Sequence, residues 1–558
     1  MVALIGAAVI ARLYYLQIVR SDHYTEKAER QYVHTKADLY SRGSVYFTAR
    51  DGGKLSAASI QAGFMLTANP SHIADPNAFC EQLREYLTIE KEECVRKVSA
   101  KNRTYVELNP HLTEEQSIKV QDMKIEGASL YRNQWRYYPG GTVSAQTIGF
   151  VGYTEKGGSE LHGKYGLERH YDEVLYKKKQ LMSVNFFAEL FSDVGDTVFR
   201  EEPQKTGSIV TTLEPAVSRM LETVLQKTND QYHSKMTGAI IMDPKTGAIY
   251  AMGMTPGFDL NNHDDATIEQ FQNPLVENVY EMGSIVKPLT VAAGIDAGSV
   301  SAGTVYHDPG CIDLNTYTIC NFDKRARGDV PMQEVLNQSL NTGVAFIANR
   351  MGKDRFRSYF LNYGLGETTG IDLPNEGVGL VENLNSPREV EYATASFGQG
   401  IALTPIAMVR ALATLGNGGK LVTPHVIDRI EYDDGTVKQI EYGEEKQVLK
   451  PQTSEEISRM LTTVVDKALR GGKVALPNHT IGAKTGTAQI ADPNGGGYYE
   501  DKYLHSFFGY FPAYDPKFIV FMYTVEPKGV KYASETLTDP FIDVAKFLIN
   551  YYSIPPDR

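Results

Sequence analysis

Residues Met1 to Val19 are apolar except for Arg12 and Gln17, and the chain turns abruptly polar at Arg20-Ser21-Asp22-His23. A membrane-spanning helix needs about 18 or more apolar residues, and this run meets that minimum. Arg12 can snorkel to the interface, and Tyr14 and Tyr15 suit a headgroup belt. No A-x-A-like site follows, which argues against a cleaved signal peptide. A buried core helix is the alternative. Positive-inside logic asks for basic residues ahead of the run, so the start of the protein is expected upstream of Met1. No second span follows. The reading is a single-pass anchor, residues 1–19, carrying one extracytoplasmic body.

At 558 residues that body is too long for a single core. Its 42% hydrophobic and 22% charged residues are those of a globular chain, and 49 glycines with 25 prolines fall short of low complexity. The net charge of −12 offers no polyanion-binding surface, so nucleic acid is excluded as a partner. Four cysteines cannot staple a chain of this size, so its cores must be apolar. The segment Cys311 to Cys320 alternates like a hairpin. With Asn315-Thr316 as a two-residue turn, Leu314 faces Tyr317 and Cys311 faces Cys320, within disulfide range. The alternative is two small buried hydrophobes. Cys80 and Cys94 lie on consecutive helix-like segments and form a second candidate pair.

Residues 20–205 form one compositional block. It holds a charged helical continuation of the anchor at Tyr24 to Tyr32 and strand-like runs at Gly43 to Phe47 and Gly63 to Thr67. Helical stretches follow at Pro76 to Tyr86 and Lys91 to Ser99, and the sole tryptophan is Trp135. Lys177 to Lys179 reads as a solvated charge run. From 206 the texture changes. Ile209 to Leu213 is strand-like, and Glu214 to Lys227 is a helix with Val217, Met220, Leu221 and Leu225 on one face. Gly238 to Met242 and Ala248 to Met252 flank a tight turn. Helices follow Ser284, Gln333 and Pro405. Strands return at Phe507 to Phe511 and Phe518 to Val525 before a last helix near Pro540 to Tyr551. Strands at both ends with helices between predict an antiparallel sheet covered by helices.

Three short motifs carry chemistry. Ser284 is the only serine in the chain followed by lysine at the third position. On a helix the pair shares a face, so Lys287 can serve as base to a weak hydroxyl nucleophile. Ser339-Leu-Asn341 follows, and Lys484-Thr485-Gly486 lies further on, set as an edge strand would be. Each is common alone: Ser183-Val-Asn185 repeats the second, and Lys205-Thr-Gly207 and Lys245-Thr-Gly247 repeat the third. Order decides among them. Ser-x-x-Lys, Ser-x-Asn and Lys-Thr-Gly in succession are the signature of penicillin-recognising serine acyl enzymes.

On these residues the chain resembles the class B penicillin-binding proteins, monofunctional transpeptidases of peptidoglycan synthesis. Tyr280 to Pro288 is similar to the family's Tyr-Glu-Pro-Gly-Ser-Thr-Phe-Lys, with Met282 in place of proline. Further likeness lies in Ala395 to Ile401, Leu403-Thr-Pro405, Asn417-Gly-Gly419, Gly364-Leu-Gly366 and Gly370 to Pro374 with Glu376. Upstream, Arg42 to Tyr46, Arg136 to Pro139, Gly149 to Gly152 and Gly166-Leu-Glu168 resemble the family's pedestal, although Phe47 stands where Asp is usual. The resemblance implies an α+β chain. It would comprise a single N-terminal transmembrane helix, an extended mixed α/β pedestal of the dimerisation type over residues 20–205, and a serine β-lactamase-like transpeptidase domain over 206–558.

The same resemblance implies roles. Ser284 attacks the penultimate D-Ala carbonyl of a stem peptide, and Lys287 takes its proton. Ser339 relays a proton to the leaving nitrogen, and Asn341 hydrogen-bonds the substrate amide. Lys484 supplies positive potential, and Thr485 and Thr487 bind the terminal carboxylate. Gly486 lets the strand approach the ligand, and the Ser284 and Thr487 N–H groups form the oxyanion hole. β-Lactams would trap Ser284 as an ester. A D,D-carboxypeptidase, a β-lactamase, and a non-catalytic sensor or scaffold remain alternatives. Histidine and cysteine spacing gives no metal motif, and no cofactor is expected. The expected partners are the stem peptides and a polytopic glycan polymerase of the SEDS type, at the inner membrane of a bacterial cell. An elongation role and a division role are both open.

Overall fold

The structure is a computed structural model describing residues 41–153, 161–177, 205–314, 317–493 and 495–558. The expected anchor, its helical continuation, Lys178 and Lys179 of the charge run, and the Asn315-Thr316 turn lie outside the described residues. Among the described residues no helix is long and apolar enough to cross a membrane.

The C-terminal half is built on a five-stranded antiparallel sheet. Its order is Gly482–Asp492, Gly497–Phe511, Phe518–Val525, Met236–Met242, Ile249–Thr255. Every residue of Phe518–Val525 is buried, because helices cover both faces. Alternation sorts the side chains. Ile240, Met242, Phe521 and Tyr523 join the core that holds the helices Lys287–Asp296, Asn341–Met351 and Pro405–Ala413. Ala239, Ile241, Val520 and Met522 face the opposite way, onto Val217, Leu221 and Leu225 of helix Pro215–Tyr232 and Phe541 and Leu548 of helix Thr538–Tyr551. The former helix starts as its sequence dictates, with proline at its first position and the Glu214 carboxylate accepting from Val217 N at 2.6 Å.

The second sheet draws strands from both sides of residue 205. It runs Val437–Gln439, Ile427–Tyr432, Gly207–Thr211, Val45–Thr48, Lys54–Ala68, Val106–Leu112, with Ala128–Tyr137 also paired to Lys54–Ala68. Gly207–Thr211 pairs parallel with Val45–Thr48 and antiparallel with Ile427–Tyr432. Strands from the C-terminal half thus complete the pedestal sheet, and a change in composition cannot reveal such backbone pairing. Lys54–Ala68 is also one 15-residue strand where the sequence marks only its end. Its first half, exposed at Lys54 and Leu55 and buried at Ala57 and Ala58, lacks alternation; pairing with Val45–Thr48 and Ala128–Tyr137 holds it extended.

Two disulfides are present. Cys80–Cys94 ties the helices Pro76–Arg84 and Lys91–Val98, with Cα atoms 6.0 Å apart. Cys311–Cys320 closes the hairpin at a Cα separation of 4.0 Å, in the register Cys311 to Cys320 and Leu314 to Tyr317. The halves are also joined by side chains. Glu222 accepts from Ser144 N at 2.7 Å, Asn261 brackets the Tyr138 backbone, and burial raises the Glu222 carboxyl to about 7.

Candidate active site

The Ser284 motif folds as a 3-10 turn, Gly283–Val286, running into the helix Lys287–Asp296. The Lys287 N–H donates to Ser284 O, and in 3-10 geometry residues three apart share a face. The turn sits hard against the edge strand Gly482–Asp492, which carries Lys484 to Thr487. Two glycines permit this. Gly283 has a left-handed φ of 63°, and a Cβ there would meet Thr487 O at 2.8 Å. A Cβ on Gly486 would meet Met282 O at 2.7 Å and Ser506 Oγ at 2.4 Å. The missing side chain of Gly486 thus lets the strand approach the Ser284 turn.

Lys287 is fully buried, and Lys484 is 4% exposed. Lys287 Nζ donates to Ser339 O at 2.5 Å and Ser339 Oγ at 3.1 Å; Lys484 Nζ reaches the same Oγ at 3.1 Å and its neighbour's carbonyl, Thr485 O, at 3.1 Å. Neither lysine has a carboxylate within ion-pair distance among the described residues. Burial, with the Lys484 charge added, pushes the Lys287 ammonium well below the usual lysine range, and burial brings Lys484 down to about 8. Ser339 itself adopts a left-handed φ of 56°, which turns its hydroxyl between the two ammonium groups at a cost of about 1–2 kcal/mol.

Asn341 opens the helix Asn341–Met351 and donates its Nδ2 to Cys320 O at 2.8 Å, leaving its side-chain oxygen as an acceptor. Thr487 Oγ1 accepts from Ala533 N at 3.1 Å and keeps its own proton to donate. Ser284, Ser339, Asn341, Thr485 and Thr487 line one cleft of about 540 Å³, within the range of ligand sites. Ser284 Oγ has no hydrogen-bond partner among the described residues. The unpartnered edge of Gly482–Asp492 borders this cleft and offers backbone groups to an extended peptide. The cleft also gains residues to which the sequence assigns no role. Phe322 and Tyr532 stack edge to face at its mouth, 5.9 Å apart, and Gln399, Gln489 and Tyr503 complete the wall. No group of three or more metal-ligating side chains occurs among the described residues.

A serine on a turn leading into a helix, two buried lysines sharing a second serine, and an edge strand beside them define the penicillin-recognising serine acyltransferase class. The penicillin-binding protein transpeptidase domain matches residues 237–545, and the penicillin-binding protein dimerisation domain matches residues 41–209. The chain belongs to the penicillin-binding proteins, with the two-domain make-up of class B members. Stage V sporulation protein D of Bacillus subtilis is 28% identical over 95% of this chain and 81% of its own length. The probable peptidoglycan D,D-transpeptidase PenA of Neisseria gonorrhoeae is 25% identical over 100% of this chain and 92% of its own. The same fold occurs in penicillin-binding protein 3 of Mycobacterium tuberculosis complexed with aztreonam, with a TM-score of 0.70 at 22% identity over 93% of this chain and 98% of that one.

Proposed function

We propose that this chain is a peptidoglycan D,D-transpeptidase that cross-links stem peptides through an acyl-enzyme on Ser284, and that β-lactams acylate the same serine. One observation carries the reading: two buried lysines without carboxylate partners converge on Ser339 beside Ser284. Such lysines hold a neutral fraction and can move protons. Ser284 Oγ attacks the carbonyl of the penultimate D-Ala and passes its proton to Lys287. The Ser284 and Thr487 N–H groups receive the oxyanion. The C–N bond breaks as Ser339 hands a proton to the leaving nitrogen, and D-Ala departs. An acceptor amine then attacks the ester, forms the cross-link and restores Ser284. Asn341 holds the donor amide, and Lys484, Thr485 and Thr487 hold the terminal carboxylate. Two disulfides fit an oxidising, extracytoplasmic compartment. Residues 1–19 as anchor, 20–205 as pedestal, 206–558 as catalytic domain and a SEDS-type polymerase as membrane partner complete the proposal.

Labelled benzylpenicillin tests it. The expected result is one label per chain, on the peptide carrying Ser284, stable for hours. Rapid label loss would indicate a β-lactamase, and a folded chain that takes no label would sink every enzymatic reading. The pH profile is a second test. Acylation should rise with pH as Lys287 sheds its proton, then fall near pH 8 as Lys484 loses its positive charge. Lys484→Arg, which stays charged, should remove that alkaline fall, measured as labelling rate from about pH 5 to about pH 10.

A further inference from the structure

The turn that places Ser339 between the lysines has a local backbone bond, Leu340 N to Val335 O at 2.9 Å, but no side-chain cap of its own for the helix that follows. Ser339 is left-handed, and the residue capping the following helix is Leu340, whose side chain can accept nothing. The first-turn N–H of Thr342 is received instead by Asn321 Oδ1 at 3.3 Å, far along the chain. Asn321 is in turn gripped by Asp308. Its Nδ2 donates to both Asp308 oxygens, at 2.9 and 3.1 Å, while Asp308 Oδ1 also accepts from Thr342 Oγ1 at 2.7 Å and from Gly310 N at 3.0 Å. Asp308 is completely buried, and no cation lies within ion-pair distance of it among the described residues. A buried carboxylate held only by neutral donors is expensive unless every lone pair is used. Here the donors come from both ends of the Cys311–Cys320 hairpin and from the residue after Asn341. The hairpin's last residue supplies the carbonyl that orients the Asn341 amide.

We infer that Asp308 is a positioning residue for Asn341: it locks Asn321 and Thr342, and through them the helix start that aims the Asn341 oxygen at the donor amide. The inference rests on the role proposed above for Asn341, and the test separates the two. Benzylpenicillin carries a side-chain amide; 6-aminopenicillanic acid has the same nucleus with a bare amine. Asp308→Asn puts a donor among donors. It should slow acylation by benzylpenicillin about tenfold and by 6-aminopenicillanic acid less than about twofold, as expected for a misplaced contact group. Thr342→Val, which cuts the same link from the other end with little change in shape, should give the same selectivity with a loss of about threefold. Asn341→Ala should discriminate likewise, and adding Asp308→Asn to it should cost nothing more. If Asn341→Ala discriminates but neither Asp308→Asn nor Thr342→Val does, or if these two slow both penicillins alike, the inference on Asp308 is overturned. If Asn341→Ala itself slows both penicillins alike, the role of Asn341 fails, and the inference with it.

Discussion

Ser284→Ala takes up no penicillin label, and Lys287→Met takes it up at least about 10³-fold more slowly than the unaltered chain, without losing thermal stability. On the proposed mechanism the first change removes the atom that would form the ester, and the second removes the base, a contribution of about 10² to 10⁴ for a positioned proton acceptor. The two readouts move apart because of where Lys287 sits. It is fully buried, and its ammonium is satisfied by a carbonyl and a hydroxyl of Ser339 with no counter-charge. Between its depressed pKa in the fold and the ordinary lysine value of about 10.4, the unfolded chain keeps a proton that the folded site has shed. This group therefore opposes folding at neutral pH, and its contribution becomes more favourable as pH rises through that window. Methionine fills much the same volume with nothing to protonate. The melting midpoint of Lys287→Met at pH 7 should equal or exceed that of the unaltered chain, and its rise between pH 7 and pH 9 should be smaller. A lower midpoint would mean that Lys287 holds the fold rather than the chemistry.

The catalytic residues were legible because each motif is contiguous and its spacing matches a helix or a strand. Ser284 and Lys287 need only one turn between them, and Lys484 to Thr487 need only an edge strand. The Cys311–Cys320 pairing was legible for a similar reason, since residues in a hairpin can be counted from its turn. Asp308 and Asn321 were not legible. They are unremarkable polar residues in sequence, and they acquire meaning only when the hairpin base meets the helix that follows Leu340. The packing of Gly486 against the Ser284 turn was not legible either, because a glycine in a strand signals close approach without saying from which side. Nor does anything in Ile427–Tyr432 announce that it pairs with Gly207–Thr211 across more than 200 residues of chain. Local chemistry was in the sequence, whereas long-range pairing was not.

Glu168→Ala should destabilise the pedestal by about 3–5 kcal/mol, the usual cost of stranding a buried charge. Three residues singled out by pedestal resemblance, Arg42, Arg136 and Glu168, meet as one cluster, their side chains 0 to 2% exposed. Each arginine Nε contacts a different Glu168 oxygen at 2.6 Å, and Arg42 also binds Glu168 O and Asp172. Arg136 reaches back to Gly43 O at 2.8 Å, so the cluster pins the chain entering Val45–Thr48, the strand Ala128–Tyr137 and the helix Gly166–His170 together. Removing the carboxylate leaves Arg136 buried without its counter-charge, while Arg42 keeps only Asp172. The sole tryptophan makes the effect readable, because Trp135 precedes Arg136 on strand Ala128–Tyr137 and stacks on His111 at 4.6 Å. Its fluorescence should report pedestal unfolding at a markedly lower urea concentration in Glu168→Ala. If stranded charge is the cause, a variant with all three residues apolar, Arg42→Met, Glu168→Leu and Arg136→Met, should recover most of the loss. If the loss persists in that variant, the cluster holds the pedestal by its specific hydrogen bonds, and mutual neutralisation is the lesser part of its role.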